Sequence, residues 1–168
     1  MMDEPFGLFL TWNTYGTWLP GDARGWVEYG RGWKLPDPIR EREAAAIMTD
    51  DACYLAPEQR AAVERQVAET CGVRGWHLYA VNCRTNHIHV VVAARETKPK
   101  KVRADLKAWA TRCLKDEFDP TRENWWAERG SIRQLHNEAT LEAAILYVLE
   151  AQDRKTEPTQ RIPMSPEM

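Results

Sequence analysis

The sequence predicts an α+β fold: a ferredoxin-like four-stranded antiparallel sheet packed against helices. Three observations point there. Runs with strand character open the chain, pair in its middle and recur near its end. Segments with helical apolar spacing lie between them. The resulting order is strand, long loop and helix, strand, strand, helix, strand, helix, which writes helices over one face of a four-stranded sheet.

Each element has a local reason. Phe6 to Trp12 is rich in aromatic and branched residues and reads as a strand. A loop over 13–36 follows, with five glycines and two prolines that exclude a long regular element, and Trp18, Trp26, Tyr29 and Trp33 ask to be buried or stacked. They suit either a satellite cluster that pins the loop or a platform for bases of single-stranded nucleic acid. Ile39 to Thr49 is alanine-rich and helical in pattern. Pro57 opens a second helix, with Ala61, Val63, Val67 and Ala68 on its apolar stripe and Cys71-Gly72 as its end. Trp76 to Cys83 and His87 to Ala93 form a strand pair about a polar turn. Pro99 to Lys115 is a helix whose stripe is Val102, Leu106, Trp109, Ala110 and Cys113. Trp125-Trp126 and Ile132 to Leu135 suggest a hairpin turning at Arg129-Gly130. Asn137 caps a last helix running to about Gln152 or Asp153, its buried face marked by Leu141, Ala144, Ile145 and Val148.

The chain of 168 residues suits one domain over residues 1–155, with a peripheral tail at 156–168 that holds three prolines and little to bury. It shows neither a membrane-length apolar run nor the basic start of a signal peptide, so a cytoplasmic location is expected. The four cysteines form no C-x-x-C pair and read as reduced thiols. Net charge is −2, which argues against a polybasic DNA-coating protein. From Arg95 to Lys115, however, eight basic residues face two acidic ones. Lys98, Lys100, Lys101, Arg103, Lys107 and Arg112 from this run are candidate phosphate contacts, although a solvated helix face has the same pattern.

The chemistry concentrates in two places. His87 and His89 lie two apart on a strand, so both imidazoles point to one face and Ile88 to the other. Such a pair is half a metal site, or two unrelated histidines. On the last helix Gln152 shares the face of Leu141 and Val148, and Tyr147 sits about 140° from it. A polar amide on a buried stripe needs a hydrogen-bond partner or a metal. Two histidines and one oxygen donor could hold Mg²⁺ or Mn²⁺. A tyrosine could attack a phosphodiester and hold a covalent phosphotyrosine, releasing a 3′-hydroxyl. At sequence level Tyr147 also suits an ordinary tyrosine at the edge of an apolar face.

The combination resembles the single-tyrosine transposases of the insertion-sequence type, within the class of endonucleases named for a His-hydrophobic-His motif. It resembles especially the REP-associated tyrosine transposase branch. The motif here is His87-Ile88-His89, preceded by Asn86 and followed by Val90-Val91-Val92, and the late-helix tyrosine stands in Tyr147-Val148. The resemblance covers roughly residues 6–155. It implies a domain that cleaves and rejoins single-stranded, hairpin-bearing DNA, with Tyr147 as nucleophile, His87 and His89 as ligands, and Mg²⁺ or Mn²⁺ as cofactor. It leaves open a monomer or a homodimer. The family often places Asn or Gln four residues after the tyrosine, where this chain has Ala151; Gln152 is the expected substitute, with Glu150 behind it. That departure also suits a DNA-binding protein derived from such an enzyme and weakened in catalysis. A small metal-binding scaffold whose aromatic loop engages protein is the third reading.

Overall fold

The computed structural model describes residues 4–151. Strand β1 is Gly7–Asn13, β2 Trp26–Glu28 and β3 Gly32–Lys34. Helix α1 is Pro38–Ala46 and α2 Pro57–Arg74. Strands β4 (His77–Cys83) and β5 (His87–Ala93) precede helix α3 (Pro99–Glu117). Strand β6 (Ser131–Leu135) leads into helix α4 (Glu138–Leu146), which runs on as a π turn over Tyr147–Ala151. The main sheet has the order β4-β5-β1-β6, and every neighbouring pair is antiparallel. This is the ferredoxin-like arrangement that the element order predicts.

Strand alternation divides the core in two. Leu8, Leu10 and Trp12 of β1 and Ile88, Val90 and Val92 of β5 face α2 and α3, where they meet Val63, Val67, Val102, Leu106 and Ala110. The other sheet face buries Val91, Ala80 and Leu135 against Leu141 and Ala144 of α4 and Val148 of the π turn. Helices therefore cover both faces, which corrects the expectation of a single covered face. The reason is that β5 carries apolar residues in consecutive positions, Val90-Val91-Val92, all with no exposed surface. A strand apolar on both sides needs cover on both.

Several other boundaries move. Helix α2 continues past Cys71-Gly72 to Arg74, because Gly75 takes the left-handed conformation (φ 72) and its N–H caps the carbonyls of Cys71 and Gly72. Trp126 does not pair with β6; it bridges Thr14 at the end of β1. Within the 13–36 loop, β2 and β3 form a small separate hairpin, with Trp26 buried and its indole N–H donating to the Leu35 carbonyl. The four cysteines are buried and free, and desolvation pushes Cys71 up to about 11 and Cys83 up to about 12. No helix among the described residues is long and apolar enough to cross a membrane.

Candidate active site

The site grows from the register of β1 and β5. Thr11 lies opposite His89, and Asn13 opposite His87. Ile88 between them is fully buried on the α2–α3 face. Both imidazoles must then project from the other face, where α4 and the π turn pack. The ring centroids of His87 and His89 are 4.9 Å apart. The Tyr147 ring lies 5.6 Å from that of His89, edge-on, and 6.0 Å from Phe9. Phe9 in turn lies 5.6 Å from His89. The structure thus brings His87, His89 and Tyr147 to one place from elements some sixty residues apart in sequence.

The imidazoles are oriented from behind. Nδ1 of His89 shares a 2.7 Å hydrogen bond with the Thr11 hydroxyl, and both residues are buried to 2% exposure. Nδ1 of His87 lies 2.8 Å from Oδ1 of Asn86. An amide oxygen only accepts, so this contact suits the tautomer with the proton on Nδ1. Such Nδ1 contacts are how metal-ligating imidazoles are commonly set. The nitrogen half of a divalent site is therefore consistent with the donors present. Among the described residues, no group of three His, Cys, Asp or Glu side chains is placed to hold a metal ion. Gln152 lies outside the described residues; Glu150 is exposed on the π turn.

Tyr147 is more than a third exposed, whereas Val148 beside it is fully buried. The turn that carries them is fastened by a residue that sequence reasoning missed. Nδ2 of Asn82 donates to the Val148 carbonyl at 3.1 Å. Asn82 can do so because β4 has an irregularity between Leu78 and Ala80. Leu78 pairs with Val92, but Asn82 pairs with His89, so the extra residue swings Asn82 onto the histidine face. Nothing in the pattern of HLYAVNC signals this, since an unbroken strand would point Asn82 the other way. Thr11 and Phe9 were likewise missed; their signal is only their position one and three residues before the inward-facing Trp12.

The basic residues divide. Lys98, at the N-cap of α3, and Lys100, Lys101 and Arg112 on it are exposed. Helix α3 packs on the α2 side of the sheet, across from Tyr147. Arg103 and Lys107 instead reach the turn before β6. Lys107 Nζ donates to the carbonyls of Ala127 and Arg129, and Arg103 to that of Gly130. Burial first, and the neighbouring Arg103 charge second, push the Lys107 ammonium down to about 8. Arg112 also lies over the Trp109 ring at 4.7 Å.

The sequence profile of the family described as "Transposase IS200 like" matches residues 52–148, a span that contains both histidines and Tyr147. Two solved structures share the fold. A protein of Deinococcus radiodurans assigned as a transposase is 15% identical, with a TM-score of 0.51 over 90% of this chain and 93% of that one. A REP-associated tyrosine transposase bound to a REP hairpin is 11% identical, with a TM-score of 0.52 over 88% of this chain and 67% of that one. No curated protein matches the chain.

Two outcomes follow from this geometry. Asn82→Asp keeps the shape but removes the donor, so amide hydrogen exchange across residues 145–150 should speed up, with stability lower by about 1 kcal/mol; unchanged exchange would show that the hydrogen bond does not hold the turn. For Lys107 the folded form releases its proton near pH 8, while the unfolded chain holds it to about pH 10.4. Unfolding between those values takes up a proton, so this group makes stability rise with pH there. Urea midpoints at pH 7 and pH 9.5 should show a larger gain for the native chain than for Lys107→Met.

Proposed function

Because the chain belongs to the IS200-like transposase family, we propose that it cleaves and rejoins single-stranded DNA through a covalent 5′-phosphotyrosine on Tyr147, acting on hairpin-bearing DNA. Family and fold support a nuclease and strand-transfer role in general. The observation that carries the finer reading is the convergence of Tyr147 with His87 and His89 on one sheet face. The hairpin substrate is suggested by the REP hairpin bound in the structural relative.

In this reading the Tyr147 hydroxyl oxygen forms a bond to phosphorus, in line with the bond to the 3′ oxygen, which breaks. The phenolic proton leaves, and the departing 3′ oxygen takes one up to become a hydroxyl. The protein keeps the 5′-phosphate end, and the reverse attack by a 3′-hydroxyl rejoins a strand. His87 and His89 would hold Mg²⁺ or Mn²⁺, which would supply electrostatic stabilisation of the charge that develops on the phosphodiester. Phe9 packs against both Tyr147 and His89, which limits how far the nucleophile and the ligand can separate. Asn82 holds the backbone one residue beyond the nucleophile.

Gln152 is our third ligand. It stands one residue beyond Ala151, the position where the resemblance places an Asn or Gln, and directly follows the π turn over Tyr147–Ala151. Exposed Lys98, Lys100, Lys101 and Arg112 would contact phosphates of DNA that extends beyond the site, with Arg103 and Lys107 acting through the turn they hold. Monomer and homodimer both fit this chemistry.

Variants test the assignment. Tyr147→Phe should abolish covalent capture of DNA and leave affinity within about twofold. His89→Ala should lower metal-dependent cleavage by on the order of 10²-fold or more while retaining binding. Cleavage retained by Tyr147→Phe would remove the tyrosine from its role, and binding without nicking under any divalent ion would make the chain a DNA-binding derivative.

A further inference from the structure

The turn before β6 has a conformation its sequence does not favour. Arg129 sits at φ 64 and Gly130 at φ 132. A Cβ at Gly130 would come within 2.4 Å of the Thr11 carbonyl, so glycine is required there. Nothing of that kind requires arginine at 129, where the left-handed region disfavours it. The turn is nevertheless rigidly held, since Lys107 and Arg103 together take up the carbonyls of Ala127, Arg129 and Gly130.

What arginine adds is its side chain. The Arg129 guanidinium lies 3.6 Å from the centroid of the Tyr29 ring, at the tip of the β2–β3 hairpin. Tyr29 stays 67% exposed, and Trp33 on the same hairpin is 41% exposed. Burial first, and the Arg129 charge second, lower the ionisation of Arg103; burial first, and Arg103 second, lower that of Lys107, with Glu128 opposing. The ensemble is a positive, aromatic surface. The turn leads directly into β6, where Ser131 pairs with Thr11, which pairs with His89. Two strand spacings separate Ser131 from His89, roughly 10 Å.

We propose that the Arg129–Tyr29 stack is a docking point for single-stranded DNA, the guanidinium taking a phosphate and the exposed aromatic surface a base, next to the strand held at His87, His89 and Tyr147. The choice of DNA as partner rests on the function proposed above. Guanidinium and aromatic side by side suit a flexible strand, whose bases are free to stack, better than a closed duplex. The β2–β3 hairpin thereby gains a role that its separation from the main sheet leaves otherwise unexplained.

Fluorescence anisotropy on the full chain tests this with two labelled probes: a DNA hairpin with a randomised twelve-nucleotide single-stranded flank, and the same hairpin without it. Arg129→Gly removes the side chain and suits the left-handed backbone, so folding is retained. Tyr29→Ser removes the ring from an exposed tip. Each variant should weaken binding of the flanked probe by about 5- to 50-fold and leave the unflanked probe within about twofold. Arg129→Gly should also reduce the salt dependence by about one phosphate contact, and Tyr29→Ser should not. Flanked-probe affinity within about twofold of the native chain, equal losses on both probes, or no DNA binding by the native chain would overturn the proposal. Native binding without a Tyr147 adduct would overturn the enzymatic reading alone. An adduct formed equally well by Arg129→Gly, with unchanged affinity, would overturn this inference alone.

Discussion

The pairing of β1 with β5 is the constraint on which the rest depends. Side chains along a strand alternate with period two, so a slip of one residue would send every side chain to the opposite face. Here Leu8, Leu10 and Trp12 match Val92, Val90 and Ile88 across the strands, and all six are buried in one core cluster. A slip would trade that apolar set for Thr11 and His89 at a cost of several buried side chains, each worth about 1.5–3 kcal/mol. The hydrophobic core thereby fixes the orientation of two polar residues that contribute nothing to it. His87 and His89 face the tyrosine because Ile88 cannot.

On that face, two departures from regular structure complete the arrangement. The irregularity in β4 turns Asn82 toward the histidines, and the π turn carries Tyr147. They meet in the hydrogen bond from Asn82 to the Val148 carbonyl. Bulges and π turns each break an ideal ladder and are enriched at functional sites. Here each serves to place a side chain. The cations of α3 act in a comparable way at the sheet edge, where Lys107 and Arg103 grip a turn that leaves Arg129 stacked on Tyr29.

Much of this was legible in the residues. The bounds of β5, His87–Ala93, match the expected strand, because a valine run between polar turns has few other readings. The shared face of the histidines followed from alternation alone, and the late helix from its apolar spacing and the Asn137 cap, whose side chain accepts from the Thr140 N–H. What escaped were features set by tertiary contact. The reading of helices on one face failed because the last helix packs where the two-sided burial of β5 sends it. The role of Asn82 was invisible because one extra residue in β4 reverses strand parity. Arg103 and Lys107 look on a helical wheel like solvated cations, yet their long side chains reach turn carbonyls.

Whether His87, His89 and Tyr147 act together on DNA, with the tyrosine as nucleophile, is open to direct chemical detection. Peptide mass mapping after incubation with a panel of hairpin DNAs and Mg²⁺ or Mn²⁺ addresses it most directly. The expected product is a nucleotide-bearing peptide modified at Tyr147 through its 5′-phosphate, formed only with divalent metal and with a free 3′-hydroxyl as co-product. Cleaved DNA with no modified tyrosine, or an adduct on a tyrosine other than Tyr147, would contradict it.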